Sequence, residues 1–411
     1  MKKEEVIEKL AELIVKKGVN IQKGQPLNVS SNLESAPLAI AITKEAYKAG
    51  ASWVHVDFDD AYISKYGLMY QSEEQLKKVP EWIMDKYLYG IREGVAMVSI
   101  ASPKPNAMVG VDPKKIQMQQ MAMQSHPKFA EIMDYSMSNK GQWCVCSYPN
   151  FEWAKKVFPN LPEEEVFDKL FDAILKTSRV DNDPIKAWEK HNANMAKRSK
   201  IMNEFNFKSL HYKNSLGTDF TIELIPNHIW SGGSENSAKG IEFNPNIPTE
   251  EVFTAPNKYG VNGKVVATKP LFTQGKLVED FWFEFKDGKV VNYGAKKEQA
   301  VLKNIVENDP GSCYLGEVAL VPFDSPIQQS GILFYNTLFD ENASCHLALG
   351  MAYPSCLKGG TEMSFEQQEK AGLNHAKTHV DFMVGSKDLE IIGTKFDGTT
   401  VQVFKNGNFT F

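Results

Sequence analysis

The sequence predicts an α/β N-terminal domain with a mostly parallel sheet, followed by a β-rich (α+β) C-terminal domain. Three observations support this prediction. The chain has 411 residues, which is too long for one ordinary hydrophobic core. Strand-like and helix-like stretches alternate in the first half, whereas short alternating runs separated by turns fill the second half. The pattern changes near residue 205, so we place the two domains at 1–205 and 206–411.

The first half predicts repeated strand–helix–strand units. Runs rich in β-branched and aromatic residues alternate with helical stretches, which is typical of parallel strands joined by helical crossovers. We expect the Met residues of the stretch 113–138 to fill the core, because Met adapts to irregular gaps. The predicted strands are 26–32, 52–58, 95–101 and 142–148, and the predicted helices include 36–50, 80–94, 162–180 and 184–206.

The second half predicts antiparallel strands joined by hairpins. After about residue 207, short runs alternate apolar and polar residues and are separated by Gly, Asp and Asn, which favour turns. Typical runs are DFTIELIP, VEDFWFEF and GKVVNYG. The sequence therefore predicts a β-rich domain from this point onward.

The composition is that of a soluble globular protein and excludes several classes of partner. The net charge is −5 and the isoelectric point is about 6.0, which argues against nucleic-acid binding, since that usually requires a basic face. No uncharged apolar run approaches the roughly 18 residues of a membrane span. The five cysteines are scattered and odd in number, so we expect reduced thiols in a cytoplasmic protein, with Cys144 and Cys146 structural.

Several common catalytic motifs are missing from the sequence. It contains no G-x-x-x-x-G-K-[ST] phosphate loop, no G-x-G-x-x-G, no G-x-S-x-G and no H-E-x-x-H. The sequence therefore argues against a nucleotide-binding enzyme, a serine hydrolase of the commonest type and a metalloprotease of the H-E-x-x-H type.

Four polar insertions interrupt apolar stretches of the second half. Each has a bland interpretation: a lone Glu in a strand is often an edge residue, a lone His is often a hydrogen-bonded core group, and carboxylates after a proline often begin a helix. Together they supply the carboxylates and imidazoles that a two-metal hydrolytic site needs. The insertions contain Glu250 and Glu251; Glu317; Asp340, Glu341 and His346; and His379 and Asp381.

The stretch THVDFMVG (378–385) predicts a strand with two chemically different faces. Because side chains alternate along a strand, Val380 and Phe382 share one face and His379 and Asp381 share the other. A buried carboxylate is costly unless it is paired or binds a metal. A second H-x-D pair, His55 and Asp57, ends a predicted parallel strand with no further polar insertion nearby, so we interpret it as structural or as a loop contact.

In this order and spacing, four motifs closely resemble the aminopeptidase T / aminopeptidase S family of metallopeptidases. They are IPTEEVFTAP (247–256), GEVALVP (316–322), FDENASCHLALGMAYP (339–354) and HVDFMVG (379–385). The resemblance covers most of 205–411 and is weaker in the first half. It implies a dimeric two-domain enzyme with an α/β N-terminal domain and a β-rich metal-binding domain. Such an enzyme removes N-terminal residues from peptides with two divalent metal ions, commonly zinc or cobalt.

The resemblance also implies roles for individual residues. Tyr353 corresponds to a tyrosine that acts near the substrate in this family. From the chemistry of the side chains, we expect Tyr353 to donate to the tetrahedral oxyanion and Glu250, next to the implied ligand Glu251, to be the general base. Cys345 lies next to a ligand histidine, and we expect it to point away from the metals. The implied metal ligands are Glu251, Glu317, Glu341, His346, His379 and Asp381.

The residue types agree with a two-metal centre. Two cations about 3.5–4 Å apart repel each other, so a bridging carboxylate must lower the local charge, and we favour Glu317 for this role. Carboxylates and neutral imidazoles suit zinc, cobalt or manganese. Together with the resemblance, which implies the homodimer and the aminopeptidase activity, the sequence therefore predicts a cytoplasmic metallo-aminopeptidase that acts on peptides with a free N-terminus through a water activated by two metals.

Two alternatives remain open at this point. The first is another two-metal hydrolase, such as a phosphoesterase, although the motif regions hold no arginine to bind phosphate. The second is a non-catalytic protein of the same fold that binds metal or peptide.

Overall fold

The computed structural model describes residues 3–273 and 276–411 and divides into two compact units. The first unit comprises Met1–Lys190 together with Ser234–Pro248, and the second comprises His191–Gly233 together with Thr249–Phe411. Within the described ranges, no helix is both long and apolar enough to cross a membrane.

The first half of the chain alternates strands and helices as the sequence predicts. Helix ends follow local chemistry: in the helix Glu163–Thr177, three glutamates (163–165) occupy the first turn and Lys176 the last, as the helix dipole favours. The elements are α1 (Lys3–Leu13), a π-helical turn (Ile14–Gly18), β1 (Leu27–Asn32), α2 (Ala36–Lys48), β2 (Val54–Asp59), α3 (Ala61–Tyr70), α4 (Glu73–Leu76), α5 (Glu81–Arg92), β3 (Ala96–Ala101), α6 (Pro113–Gln124), α7 (Phe129–Met137), β4 (Trp143–Ser147), α8 (Phe151–Val157), α9 (Glu163–Thr177) and α10 (Pro184–Phe205).

Strands β1 to β4 form the sheet of the first unit, in the order β2-β1-β3-β4. All three neighbouring pairs are parallel, because each connection contains a helix long enough for a crossover. Val29, Val98 and Ile42 lie in one buried apolar cluster that joins the sheet to its helices. The α/β fold predicted for the N-terminal part is confirmed.

The prediction that the Met residues of 113–138 fill the core is wrong. Helix α6 buries none of its residues, and Met121 is 55% exposed. Gln and Lys interrupt the Met spacing along α6, so no continuous apolar stripe forms to face a core. The cysteines, by contrast, are all buried free thiols, including Cys144 and Cys146.

The rest of the chain is dominated by antiparallel strands. One short 3-10 turn lies in the first half, at Leu33–Ser35, and three lie in the second half, at Glu341–Ala343, Pro354–Cys356 and Gly360–Glu362. The remaining elements are β5 (Phe207–Lys213), β6 (Asp219–Leu224), β7 (Glu235–Asn236), β8 (Glu242–Phe243), β9 (Val252–Thr254), β10 (Pro256–Val266), β11 (Leu271–Thr273), β12 (Lys276–Lys286), β13 (Lys289–Lys297), α11 (Gln299–Val306), β14 (Leu315–Leu320), α12 (Pro326–Ser330), α13 (Thr337–Asp340), β15 (His346–Gly350), α14 (Phe365–Ala371), β16 (His379–Met383), β17 (Glu390–Lys395), β18 (Thr400–Lys405) and β19 (Asn408–Phe409).

Two sheets of the second unit share one core. The larger sheet has the order β11-β12-β10-β6-β5-β17-β18-β19, with β13 paired to β12. A smaller antiparallel sheet, which we call the site sheet, has the order β16-β15-β14-β9. Phe382 of the site sheet packs edge-on against Phe283 of the larger sheet, with ring centroids 5.0 Å apart. One face of the site sheet is thus committed to the core, and the opposite face is left for polar groups.

Candidate metal centre

The register of the site sheet brings the predicted polar residues onto one face. Glu317 pairs with Ala348, and Ala348 pairs with Asp381. His346 lies two residues before Ala348 on β15, so it points to the same face. His379 lies two residues before Asp381 on β16 and pairs with Gly350. The row Glu317–Ala348–Asp381 therefore runs between the two imidazoles.

The other face of the same strands is apolar. Val318, Leu347 and Phe382 all belong to the buried core cluster of the second unit. A shift of one residue in any strand would exchange the two faces, so the apolar side chains fix the register of the polar ones. The strand expected at 378–385 is present as His379–Met383. Phe382 belongs to the core cluster, whereas the ligand atoms of His379 and Asp381 converge with Glu317 on the other face.

Ligand atoms converge in two groups on the polar face. Glu251, Glu317 and His346 form one group, and Glu317, His379 and Asp381 form the other. Within each group the ligand atoms lie within 4.8 Å of one another. Among the described residues, Glu317 is the member that the two groups share.

The two carboxylate oxygens of Glu317 face different imidazoles. Its Oε1 lies 3.6 Å from His346 Nε2, and its Oε2 lies 3.4 Å from His379 Nε2. Glu251 Oε2 is 3.0 Å from His346 Nε2, and Asp381 Oδ1 is 3.2 Å from His379 Nε2. This is the arrangement that a bridging carboxylate between two sites requires.

Both imidazoles are held in the orientation of metal ligands. His346 Nδ1 lies 3.2 Å from the Ser344 carbonyl oxygen, and His379 Nδ1 lies 2.7 Å from the Met351 carbonyl oxygen. A ring nitrogen can only donate to a carbonyl, so in the neutral imidazole the proton is on Nδ1 and Nε2 carries a lone pair. Each Nε2 then faces carboxylate oxygens, which are also acceptors. A cation between these acceptors fits the donor set, and backbone bonds of this kind are typical of metal-bound histidines.

The electrostatics of the metal-free groups follow from burial and crowding. Burial alone would raise the pKa of Glu317, but the hydrogen bonds from His346 and His379 lower it to about 2. Burial opposes the charged form of His346, whereas Glu251 and Glu317 hold its pKa well above the usual range. Burial also lowers the pKa of His379, and Asp381 and Glu317 outweigh it and raise the pKa.

Burial and neighbouring carboxylates shift the pKa values of Glu251 and Glu341 in the same direction. Burial raises the pKa of Glu251, more than its contact with His346 lowers it. Burial raises the pKa of Glu341 well above its usual range, and the charges of Asp381 and Glu251 add to the rise. Glu341 begins a 3-10 turn directly after α13, and it lies outside both convergent groups. Glu341 therefore lies close enough to Asp381 and Glu251 for their charges to affect its pKa.

Glu250 is buried beside this cluster. Its backbone N–H donates to Asn342 Oδ1 at 2.8 Å, which ties the segment before β9 to the turn that carries Glu341. Glu250 and Glu251 are consecutive, so the structure brings both into the neighbourhood of the same strands.

Tyr353 follows β15 and stands against the exposed end of the centre. Its ring centroid lies 5.5 Å from that of His379 and 6.2 Å from that of Phe253. Burial raises the pKa of its hydroxyl. The side chain of His379 is 22% exposed and that of His346 only 1%, so solvent reaches the centre from the side where Tyr353 lies.

Cys345 is oriented away from the convergent groups. Its thiol donates to the Val321 carbonyl oxygen at 3.3 Å, and the residue belongs to the apolar core cluster. The His55 and Asp57 pair lies on β2 of the first unit, with His55 Nε2 3.1 Å from Asp57 Oδ1 and both side chains exposed. Lys86 forms an ion pair with Asp57, so this carboxylate has a structural partner.

Sequence reasoning missed three residues that shape the centre. Ala348 separates Glu317 from Asp381 and is small enough to leave space between them. Gly350 opposes His379 with φ of +112°, and a Cβ there would lie 2.0 Å from the Thr378 carbonyl oxygen. Asn342 is fully buried. The alternation H-x-A-x-G along β15 was a signal for the first two, whereas the bonds of Asn342 have no local signature.

Comparisons with known proteins match nearly the whole chain. The family model described as thermophilic metalloprotease (M29) matches residues 3–409. Aminopeptidase 2 of Geobacillus stearothermophilus is 43% identical, over 99% of this chain and 98% of its own length. Aminopeptidase AmpS of Bacillus subtilis is 43% identical, over 98% of this chain and 97% of its own.

A solved structure shows the same fold. Wild-type AmpT from Thermus thermophilus superposes with a TM-score of 0.92 at 36% identity and covers 99% of both chains. The α/β region followed by a β-rich region is thereby confirmed. The chain belongs to the M29 family of metalloproteases, the aminopeptidase T / aminopeptidase S family that its motifs resemble, and it is a metal-dependent peptidase.

Proposed function

We propose that this protein is an aminopeptidase that removes N-terminal residues from peptides with a free N-terminus and that uses two divalent metal ions. The observation that supports this most directly is the position of Glu317, whose two oxygens face the two imidazoles of separate ligand groups. The relatives named as aminopeptidases support the choice of substrate.

The residues divide into two sets of ligands. Glu251, His346 and one oxygen of Glu317 would hold one ion, and Asp381, His379 and the other oxygen of Glu317 would hold the second. Glu341 would add a carboxylate from the 3-10 turn. Mixed oxygen and nitrogen ligands suit zinc, cobalt or manganese. When bound, such ions supply Lewis-acid activation of water and of the scissile carbonyl.

The protein side chains supply the proton transfers and the hydrogen bonds. We assign Glu250 as the general base, whose carboxylate accepts a proton from the attacking water and passes it to the leaving amine. Tyr353 is the donor to the tetrahedral oxyanion. Burial raises the pKa of its hydroxyl, so the hydroxyl keeps its proton near neutral pH and can donate it in a hydrogen bond.

We further propose that residues 206–411 form the catalytic domain and that residues 1–205 form a separate α/β domain, because every assigned residue lies in the range 250–381. The working enzyme in this proposal is a cytoplasmic homodimer. Nucleic acid and membranes are not among its partners, in keeping with its net charge of −5.

Hydrolysis of leucine and arginine p-nitroanilides with added cobalt tests the proposed function. We expect release of p-nitroaniline that disappears when the amino group of the substrate is acetylated. p-Nitrophenyl phosphate serves as the counter-substrate. Turnover of the phosphate ester but not of the anilides would indicate a phosphoesterase, and metal binding without turnover of any substrate would indicate a non-catalytic protein.

A further inference from the structure

Asn342 connects two carboxylate-bearing segments of the candidate metal centre. Its side-chain oxygen Oδ1 accepts the backbone N–H of Glu250 at 2.8 Å. Its side-chain nitrogen Nδ2 donates to the Leu338 carbonyl oxygen at 3.0 Å and faces Glu341 Oε1 at 3.4 Å. One amide therefore holds the residues before β9 and the turn after α13 together.

Because Asn342 is buried, its side-chain amide depends on hydrogen bonds to other protein groups. The residue has no exposed surface, so water cannot replace the bonds of its amide. Its own carbonyl oxygen accepts the Ser325 hydroxyl at 3.4 Å, which fixes its backbone as well. A buried amide whose donors and acceptor are satisfied has one orientation, and it passes that orientation to its partners.

We propose that Asn342 is a positioning residue of the metal centre, which sets the placement of Glu250 through its backbone and of Glu341 through its carboxylate. This inference rests on the proposed function, since it assigns Glu250 and Glu341 their roles there. Asn342 does not touch the substrate. It acts through the two carboxylates, as hydrogen-bond partners of metal ligands do in other metal sites.

Asn342→Ala removes both connections and is the first test. Zinc affinity, measured on the purified protein by competition with a chromogenic chelator, should fall about 10–100-fold. At saturating zinc, kcat should also fall about 10–100-fold while KM changes less than about threefold, because the substrate is not touched.

Asn342→Asp separates the two connections. The carboxylate still accepts the Glu250 N–H, but it has lost the donor that faced Leu338 and Glu341. We expect kcat at saturating zinc within about threefold of wild type, so that the acceptor rescues the loss seen in Asn342→Ala. A loss of kcat as large as that of the alanine variant would overturn the assignment of Oδ1 to Glu250. Asp has nearly the volume of Asn, so this variant leaves no cavity at position 342.

Asn150→Ala is the matched control. Asn150 is buried in the first unit, its Oδ1 accepts the Trp153 N–H at 2.8 Å, and its Nδ2 donates to the Pro103 carbonyl oxygen at 2.9 Å. This variant should lose thermal stability and keep zinc affinity and kcat. If Asn342→Ala likewise loses stability alone, with wild-type zinc affinity and kcat, the role of Asn342 is purely structural. Zinc affinity is read without substrate, so it tests this inference even if the p-nitroanilides show that the proposed function is wrong.

Discussion

Glu317→Gln is the substitution that tests the centre most severely. It keeps the size of the side chain and removes one negative charge from the residue that both ligand groups share. A unit charge pair about 4 Å apart is worth about 4 kcal/mol at an effective dielectric constant of about 20, which corresponds to roughly a 10³-fold change in an equilibrium constant. We therefore expect the affinity for divalent metal to fall by at least this factor, with loss of both ions.

The same substitution has a second consequence in metal-free protein. Contacts with His346 and His379 lower the pKa of Glu317 from 4.5 to about 2 against the effect of burial. At 1.36 kcal/mol per pKa unit this is about 3 kcal/mol of stability. A lowered carboxylate pKa stabilises the fold above the unfolded pKa of 4.5, and this contribution is lost as the pH falls through about 2.

The two histidines set the upper limit of the pH range in which these charge pairs stabilise the fold. Their pKa values are raised above 6.5 in the folded chain, so their contribution is complete below pH 6.5 and is lost as the pH rises through the raised values. The raised pKa values of the histidines and the lowered pKa of Glu317 describe the same charge pairs, so their contributions to the free energy of unfolding are counted once. The difference in stability between wild type and Glu317→Gln should therefore be largest near pH 5.5 and disappear near pH 2.

Elemental analysis after gel filtration measures the metal content of each variant. Urea unfolding of chelator-treated protein, at pH values from about 2 to about 8, measures the free energy of unfolding. Asp340→Asn is the control for metal content, because its carboxylate is buried nearby but accepts the N–H groups of Phe334 and Asn336. It should keep its metal. A Glu317→Gln protein that retains both ions, or whose stability deficit is the same at every pH, would refute the reasoning.

The other predictions concern the individual roles. Tyr353→Phe should lower kcat about 10²–10³-fold with little change in KM in steady-state kinetics, and an unchanged kcat would remove the hydroxyl from the mechanism. Glu251→Gln should bind less metal, whereas Glu250→Gln should keep its metal and lose turnover; equal metal loss in both would show that the two neighbours are wrongly assigned. His379→Ala should lose bound metal in elemental analysis and His55→Ala should not. The reverse result would show that the metal site lies in the first unit and that the proposed ligands are wrong.

The alternation of residues was sufficient to predict much of the fold. In 379–383 the apolar set packs into the core and the polar set faces the centre, because burial and the two-residue period of a strand leave one consistent arrangement. The parallel strands of the first half were predictable because strand-like runs alternate with helical stretches along this part of the chain. The surface helix α6 was not, because Met suits both a core and an exposed face.

The contacts between strands could not be predicted from local patterns. Nothing in GEVALVP states that Glu317 pairs with Ala348, or that Asp381 lies across Ala348 on the next strand. Segment 234–248 belongs to the first compact unit, where the Val145 N–H donates to the Pro245 carbonyl oxygen at 2.7 Å. Such pairings depend on the whole topology. The resemblance supplied the ligand set before any geometry, and the roles of the individual residues stay predictions.

The arrangement of the site sheet predicts that metal binding and folding are coupled in this protein. The candidate ligands come from β9, β14, β15 and β16 and their flanking turns, which lie far apart in the chain. Without a cation, burial raises the pKa values of Glu251 and Glu341, and the charges of neighbouring carboxylates add to the rise. Ala348 and Gly350 carry no side chain that could neutralise these carboxylates on β15. Metal ions that bind the folded arrangement and not the unfolded chain would therefore stabilise the second unit, so the groups that make the centre reactive also make its fold depend on its metal.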